Sequence, residues 1–255
     1  MIASSLFHFT RNITIILKII KSKSLRASLN LENVQNFFPG KKFISTPMIC
    51  FCDIPLKFIS ENHTKRYGEF GLGFKKDWGI RKKINPIFYR MDNSDFSTSF
   101  NKSSLDINNL VNKLGLVKSL TINDFPELED IQYLLGSLQA NSERMAGFVK
   151  SYKEEFRNKS RINYIDREWR WVPEKSKKEF HEFNNKEYRE RLNNEYLKKP
   201  DLLEFEFNDL NYIIVKTPDD IGKLIKKLNK LPIEDEEKLV LSQKIIDIKS
   251  INSDM

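Results

Sequence analysis

Between Met48 and Phe74 the chain reads Met-Ile-Cys-Phe-Cys-Asp-Ile-Pro-Leu, then a polar stretch, then Tyr-Gly-Glu-Phe-Gly-Leu-Gly-Phe. No other block is as dense in apolar, glycine and special-backbone residues. Met48 to Phe51 is a short apolar run with Pro47 and Pro55 at its borders, the pattern of a buried strand with fixed ends. From Tyr67 to Phe74, alternation sets Tyr67, Glu69, Gly71 and Gly73 on one face and Gly68, Phe70, Leu72 and Phe74 on the other. Three glycines in one strand pattern imply close approach by another backbone or by a ligand. Two strands facing a shared crevice are therefore expected. Ile54 to Arg66, between them, reads as a short helix starting near Pro55.

The flanks supply polar groups for such a crevice. Leu6 to Thr10 is a β-type run that passes into a helix with Ile13, Ile16, Leu17 and Ile20 at helical spacing, capped by Thr10 or Asn12. His8 and Thr10 then sit beside a helix N-terminus, where phosphate or ribose hydroxyls are well received. The plainer reading is a hydrogen-bonded core histidine and a capping threonine. Lys21 to Lys42 reads as a basic, turn-rich loop in which Arg26 is best suited to grip a phosphate. Asp92 to Ile122 reads as a polar connector. Asp124 and Glu127 form a capping box for a helix whose Leu128, Ile131, Leu134, Leu135 and Leu138 make a buried stripe.

The second dense cluster is Tyr164-Ile165-Asp166-Arg167-Glu168-Trp169-Arg170-Trp171-Val172-Pro173. A carboxylate flanked by arginines and tryptophans is an unusual composition for a plain core strand; the alternative is a salt-bridged strand. Lys175 to Lys199 reads as an exposed, helix-rich excursion. Strands follow at Leu202 to Phe207 and Asn211 to Val215, then a helix from Thr217-Pro218-Asp219-Asp220 through Leu228.

Charge is uneven along the 255 residues, whose net charge is +8. Through Arg90 there are 16 Lys and Arg against 5 Asp and Glu, and thereafter 27 against 30. The first third is the candidate anion-facing surface. The apolar run Ile13 to Ile20 is interrupted by Lys18 and is too short for a membrane span or signal peptide, so a cytoplasmic protein without membrane association is expected. Cys50 and Cys52 read as reduced, buried thiols. Together with His63 they lack a fourth ligand, so no metal is expected.

Three blocks fall in order: Phe7-His8-Phe9-Thr10; Cys50-Phe51-Cys52-Asp53-Ile54-Pro55 with Tyr67-Gly68-Glu69-Phe70-Gly71; and Arg167 to Pro173. This order resembles the AbiGi family of bacterial abortive phage-infection proteins. It is also similar, more remotely, to the ADP-ribosyltransferase superfamily, in particular nucleic-acid-modifying toxins of the DarT type. The resemblance implies an α+β fold: a split, bent mixed β-sheet of ADP-ribosyltransferase-like type with peripheral helices. It implies a single domain over residues 1–255, with helical insertions at about 92–160 and 174–200, and NAD as a substrate.

Residue by residue, the resemblance implies that His8 bonds the nicotinamide-side ribose or amide, supported by Thr10. Tyr67 would stack on nicotinamide; Ser45-Thr46 is the other position for that motif. Glu168 would be catalytic, holding the ribose 2′-hydroxyl and stabilising the oxocarbenium ion, with Arg26, Arg167 or Arg170 neutralising the pyrophosphate. The implied function is phage defence by transfer of ADP-ribose to RNA or single-stranded DNA, restrained by a partner in a toxin–antitoxin pair. The alternative is a non-catalytic antitoxin or regulatory protein that binds a partner toxin or DNA. A metal-independent nuclease using His8 is a third, weaker reading.

Overall fold

Asn12 turns the first strand into the first helix. The computed structural model describes residues 3–34, 43–59, 61–116, 127–156, 159–174, 181–182 and 186–253. In it β1 (Ser5–Thr10) leads to α1 (Ile13–Ser22), and the Asn12 side chain accepts from the Ile15 N–H at 3.1 Å. Asn12, not Thr10, is the cap; Ile16, Ile19 and Ile20 are the buried stripe.

The basic segment expected to be a loop contains two strands, β2 (Ser24–Arg26) and β3 (Ser28–Asn33), because Leu25 and Ala27 alternate into the core. Residues 35–42 of that segment lie outside the described residues. Then come β4 (Phe43–Cys52), α2 (Glu61–Tyr67), β5 (Phe70–Lys75) and α3 (Lys76–Arg81). Tyr67 thus ends a helix and does not start the strand. Gly68, at φ +116°, makes the break, and a Cβ there would lie 1.9 Å from the Thr10 carbonyl oxygen. At Gly71 and Gly73 the close neighbours are the rings of Phe9 and Phe7, so these glycines admit side chains of β1 and not a ligand.

Short strands β6 (Asn85–Pro86) and β7 (Phe88–Arg90) precede a helical pair, α4 (Asp95–Leu116) and α5 (Glu127–Ala146). The expected connector after Asp92 is therefore largely helix. Asp124 of the expected capping box lies outside the described residues. The expected buried stripe is corrected in three of its five residues: Ile131, Leu134 and Leu138 are exposed, at 44%, 58% and 50%, while Leu135 is half-buried and the Leu128 side chain lies outside what is described. Periodicity marks an apolar face but not what covers it; the buried side chains of neighbouring α4 are Ser97 and Ser104.

Next are β8 (Val149–Ser151), β9 (Lys153–Phe156), β10 (Lys159–Ile162), β11 (Glu168–Trp171) and β12 (His181–Glu182). The remainder is α6 (Lys186–Tyr196), β13 (Leu202–Glu204), β14 (Leu210–Val215), α7 (Pro218–Leu228), α8 (Asp235–Ser242), β15 (Ile245–Asp247) and α9 (Ile248–Ser253). Helix α7 has the expected start, with Pro218 in its first turn, and it buries Leu224 and Leu228. Among the described residues, no helix is long and apolar enough to cross a membrane.

The main sheet is mixed, in the order β15-β14-β5-β1-β4-β11-β6, with β14 and β15 parallel. Strand β1 lies between β4 and β5, so the two strands of the glycine- and cysteine-rich block are not neighbours. β4 carries two sets of partners. Cys52, at its end, is opposite both Phe7 of β1 and Glu168 of β11, while its first half pairs with β3 and β12.

The strand is also strongly bent. Arg170 stands opposite Cys50 and Glu32 opposite Ile44, positions about 20 Å apart on a straight strand. Their side chains nevertheless meet at 2.6 Å. On the other side of the sheet Phe51, Phe74, Trp78 and Phe205 form an aromatic core, against which Trp169 and Trp171 pack. Alternation along β11 therefore gives the tryptophans to the core and Glu168 and Arg170 to the opposite, polar side.

Candidate functional site

A cavity of about 440 Å³ opens on that polar side, walled by β1, β3, β4, the end of α2 and β11. His8, Arg26, Tyr67 and Glu168 all line it. Thr10 does not: it is buried at the end of β1, its hydroxyl 3.4 Å from the Asn12 carbonyl. Arg170 does not line it either. Its side chain is fully enclosed, donating to Glu168 at 2.7 Å, to Glu32 at 2.6 Å and to the Gly147 carbonyl at 2.8 Å. It acts on the cavity only through Glu168. Arg167, in the left-handed conformation at φ 43°, is exposed, and Ser45 and Thr46 are buried outside the cavity lining.

His8 Nδ1 lies 3.0 Å from the Cys50 carbonyl, which can only accept, so Nδ1 carries the proton and donates. Burial lowers the imidazole pKa below its ordinary 6.5, outweighing the opposite pull of that hydrogen bond. Neutral His8 thus keeps a lone pair on Nε2, suited to accepting from a hydroxyl.

Tyr67 donates its hydroxyl proton to Asp166 Oδ2 at 2.8 Å, and the Arg66 guanidinium covers its ring at 4.8 Å. At most one ring face remains for stacking. Asp166, buried in the turn before β11, gathers Arg66 at 2.6 Å, Arg161 at 3.7 Å and His63 at 3.8 Å. It fixes the α2 end of the cavity against β11.

Glu168 has both carboxylate oxygens engaged, Oε1 by Arg170 Nε and Oε2 by Lys150 Nζ at 2.9 Å. Burial pushes its pKa up, but the charges and hydrogen bonds of Arg170 and Lys150 overturn this and hold it well below the ordinary carboxylate value. Lys150 keeps its proton for the matching reason: burial works against its charge, and Glu168 and Glu32 outweigh burial. Glu32 is shifted the other way, because its burial exceeds the help it receives from Arg170 and Lys150. Two carboxylates and two cations thus form a buried network with ionised Glu168 at the cavity wall.

Cys50 and Cys52 are free, and burial raises both thiol pKa values, so neither is a thiolate nucleophile. Asp53 binds Lys76, whose Nζ lies 2.8 Å from both carboxylate oxygens, while Phe51 packs on Trp78. The Cys50 to Pro55 block is the scaffold of the cavity more than its chemistry. Among the described residues no group of three or more His, Cys, Asp or Glu could hold a metal ion.

Sequence reasoning missed Glu32, Lys150, Asp166, Arg66 and Arg161 as parts of this site. For Glu32 a signal existed, the alternation Leu29-Asn30-Leu31-Glu32-Asn33. For Lys150 there was none: it reaches Glu168 because β8 pairs with β7 far from β11 in sequence.

Comparison with known proteins places these residues in a wider context. A family model described as "Putative abortive phage resistance protein AbiGi, antitoxin" matches residues 23–216. The Abortive phage resistance protein AbiGi of Lactococcus lactis subsp. cremoris is 27% identical over 236 residues, covering 82% of this chain and 88% of that protein. No solved structure matches significantly.

Proposed function

The chain belongs to the AbiGi family of abortive phage resistance proteins, and from that premise we propose that it acts in phage defence by transferring ADP-ribose from NAD to a nucleic acid. The observation that carries this reading is the convergence of His8, Tyr67 and Glu168, distant in sequence, on one cavity in a bent, mixed sheet. The wall residues suit the substrate. Arg26, Arg66 and Arg161 offer guanidinium donors to a pyrophosphate, the Nε2 lone pair of His8 accepts from a ribose hydroxyl, and Tyr67 offers one ring face. NAD supplies an ADP-ribosyl group, with nicotinamide as leaving group and positive charge developing on the ribosyl carbon. Glu168, held ionised by its neighbours, is the group that stabilises such charge.

The test is calorimetric titration of NAD, and transfer of label from NAD to RNA or single-stranded DNA, for wild type and Glu168→Gln. Binding by both with transfer only by wild type supports the reading. Absence of NAD binding by wild type ends it.

A second reading, a non-catalytic antitoxin, rests on the exposed apolar face of α5 at Ile131, Leu134 and Leu138. The description of the matching family as an antitoxin agrees with a toxin partner. In this reading α5 docks the toxin, and Glu168 is a structural ion-pair residue. Leu134→Asp with Leu138→Asp would then abolish co-purification with the product encoded beside this chain, and NAD would produce no heat.

A further inference from the structure

A second groove, of about 940 Å³, adjoins the cavity and shares Leu31, Glu32, Lys150 and Arg161 with it. Its charges are unequally committed. Each lining carboxylate already faces a cation: Asp92 meets Arg90 at 2.6 Å, Glu32 meets Arg170 at 2.6 Å and Glu154 meets Arg161 at 3.4 Å. Arg90 and Lys150 are paired as closely, with Asp92 and Glu168, but Arg161 and Lys153 are less well served.

Among the described residues Arg161 reaches only Glu154 and Asp166, at 3.4 and 3.7 Å, longer than the usual ~2.7–2.9 Å of a charge-assisted hydrogen bond. Its Nε is buried and donates to none of the described residues. Among the described residues, the side chain of Lys153, exposed on β9, has no ion-pair or hydrogen-bond partner, and neither does the exposed side chain of Asn93. A guanidinium of five donors with no hydrogen bond among the described residues is an unusual arrangement for a wall between two cavities. The uncommitted potential of the groove is therefore positive, with a neutral amide beside it.

From this we infer that the groove is the acceptor site of the proposed reaction: it takes the phosphodiester chain of a single-stranded nucleic acid and leads it past Arg161 to Glu168. Lys153 is the phosphate contact belonging to the groove alone, Arg161 is shared with the cavity, and Asn93 offers a donor and an acceptor to a base edge or sugar. The inference rests on the transferase reading for the meaning of "acceptor" but not for the binding itself. The three contacts it assigns, Asn93, Lys153 and Arg161, all follow the basic N-terminal third, although Leu31 and Glu32 of that third also line the groove.

Anisotropy of end-labelled, mixed-sequence single-stranded RNA and DNA, titrated with the full chain, tests this across a series of salt concentrations. Lys153→Glu should weaken binding about tenfold and reduce the salt slope by about one phosphate. Asn93→Asp should weaken it in the same direction, and the distant Lys226→Glu on α7 should leave it unchanged. NAD titration of the same variants should match wild type. The RNA and DNA arms identify which chain is preferred.

Failure of wild type to bind either chain overturns the inference. So does a response to Lys226→Glu equal to that of Lys153→Glu, or displacement by polyglutamate as effective as by oligonucleotide. Oligonucleotide binding that depends on Lys153 in a protein that ignores NAD would uphold the groove and remove the transferase reading.

Discussion

Arg170 and Glu168 stand two apart on one strand and share one face, so the guanidinium Nε lies 2.7 Å from the carboxylate it accompanies. Lys150 closes the other oxygen. Removing the carboxylate leaves two buried cations facing each other across the space it occupied. Glu168→Ala should therefore cost about 3–5 kcal/mol of stability, and Glu168→Gln, which keeps one accepting oxygen, clearly less. Urea denaturation of both variants checks the order. Loss of a phenotype in Glu168→Ala alone therefore does not separate chemistry from folding, whereas Glu168→Gln does.

Acid should destabilise the protein in two stages. His8 and His63 are both pushed below the ordinary 6.5, chiefly by burial, so the unfolded chain binds more protons than the folded one just below that pH. Their contribution is present above about pH 6.5 and is lost as pH falls from there. Glu168, depressed below the ordinary 4.5, adds a second loss beneath that value. Glu32, raised by burial, has the opposite sign and offsets part of it. Denaturation midpoints from pH 8 to pH 5 should decline, and the decline should be shallower in His8→Gln.

Two glycines should respond oppositely to alanine. At Gly68 the backbone is at φ +116° and a Cβ would strike the Thr10 carbonyl, so Gly68→Ala should cost at least about 1–3 kcal/mol. At Gly222, inside α7, a Cβ meets nothing within 4 Å, and Gly222→Ala should gain up to about 1 kcal/mol. Thermal unfolding followed by circular dichroism distinguishes the two directions.

Tyr67→Phe removes one of the hydrogen bonds to buried Asp166 while Arg66 stays in place. A loss of about 1–3 kcal/mol is expected. A near-zero change in chemical denaturation would mean that Arg66 and Arg161 already satisfy the carboxylate.

The sequence made the framework readable wherever local chemistry decided it. The β1–α1 junction, α7 and the apolar run of β4 lie where capping, proline and alternation place them. Basic composition concealed β2 and β3, whose short Leu25–Ala27 alternation was outweighed by neighbouring Lys and Asn. Resemblance singled out His8, Tyr67 and Glu168, and all three line one cavity. Arg170 was misread because spacing on a strand gives the face but not whether a ligand reaches it. Lys150 and Asp166 were invisible as site residues because their roles depend on strands and helices distant in sequence. The α5 stripe was legible as a stripe; its exposure was not.

The walls of the cavity come from both ends of a long stretch of chain, Phe7 and His8 on β1 and Glu168 on β11. At usual rates of translation, roughly 5–20 residues per second, the ribosome needs on the order of ten seconds to travel between them. During that interval the emerging polypeptide already displays its most cationic third and Glu32 but lacks Glu168, the carboxylate that completes the pocket. A cell making this protein therefore holds no complete cavity until synthesis has passed Trp171, and a message cut short before that point yields fragments without one.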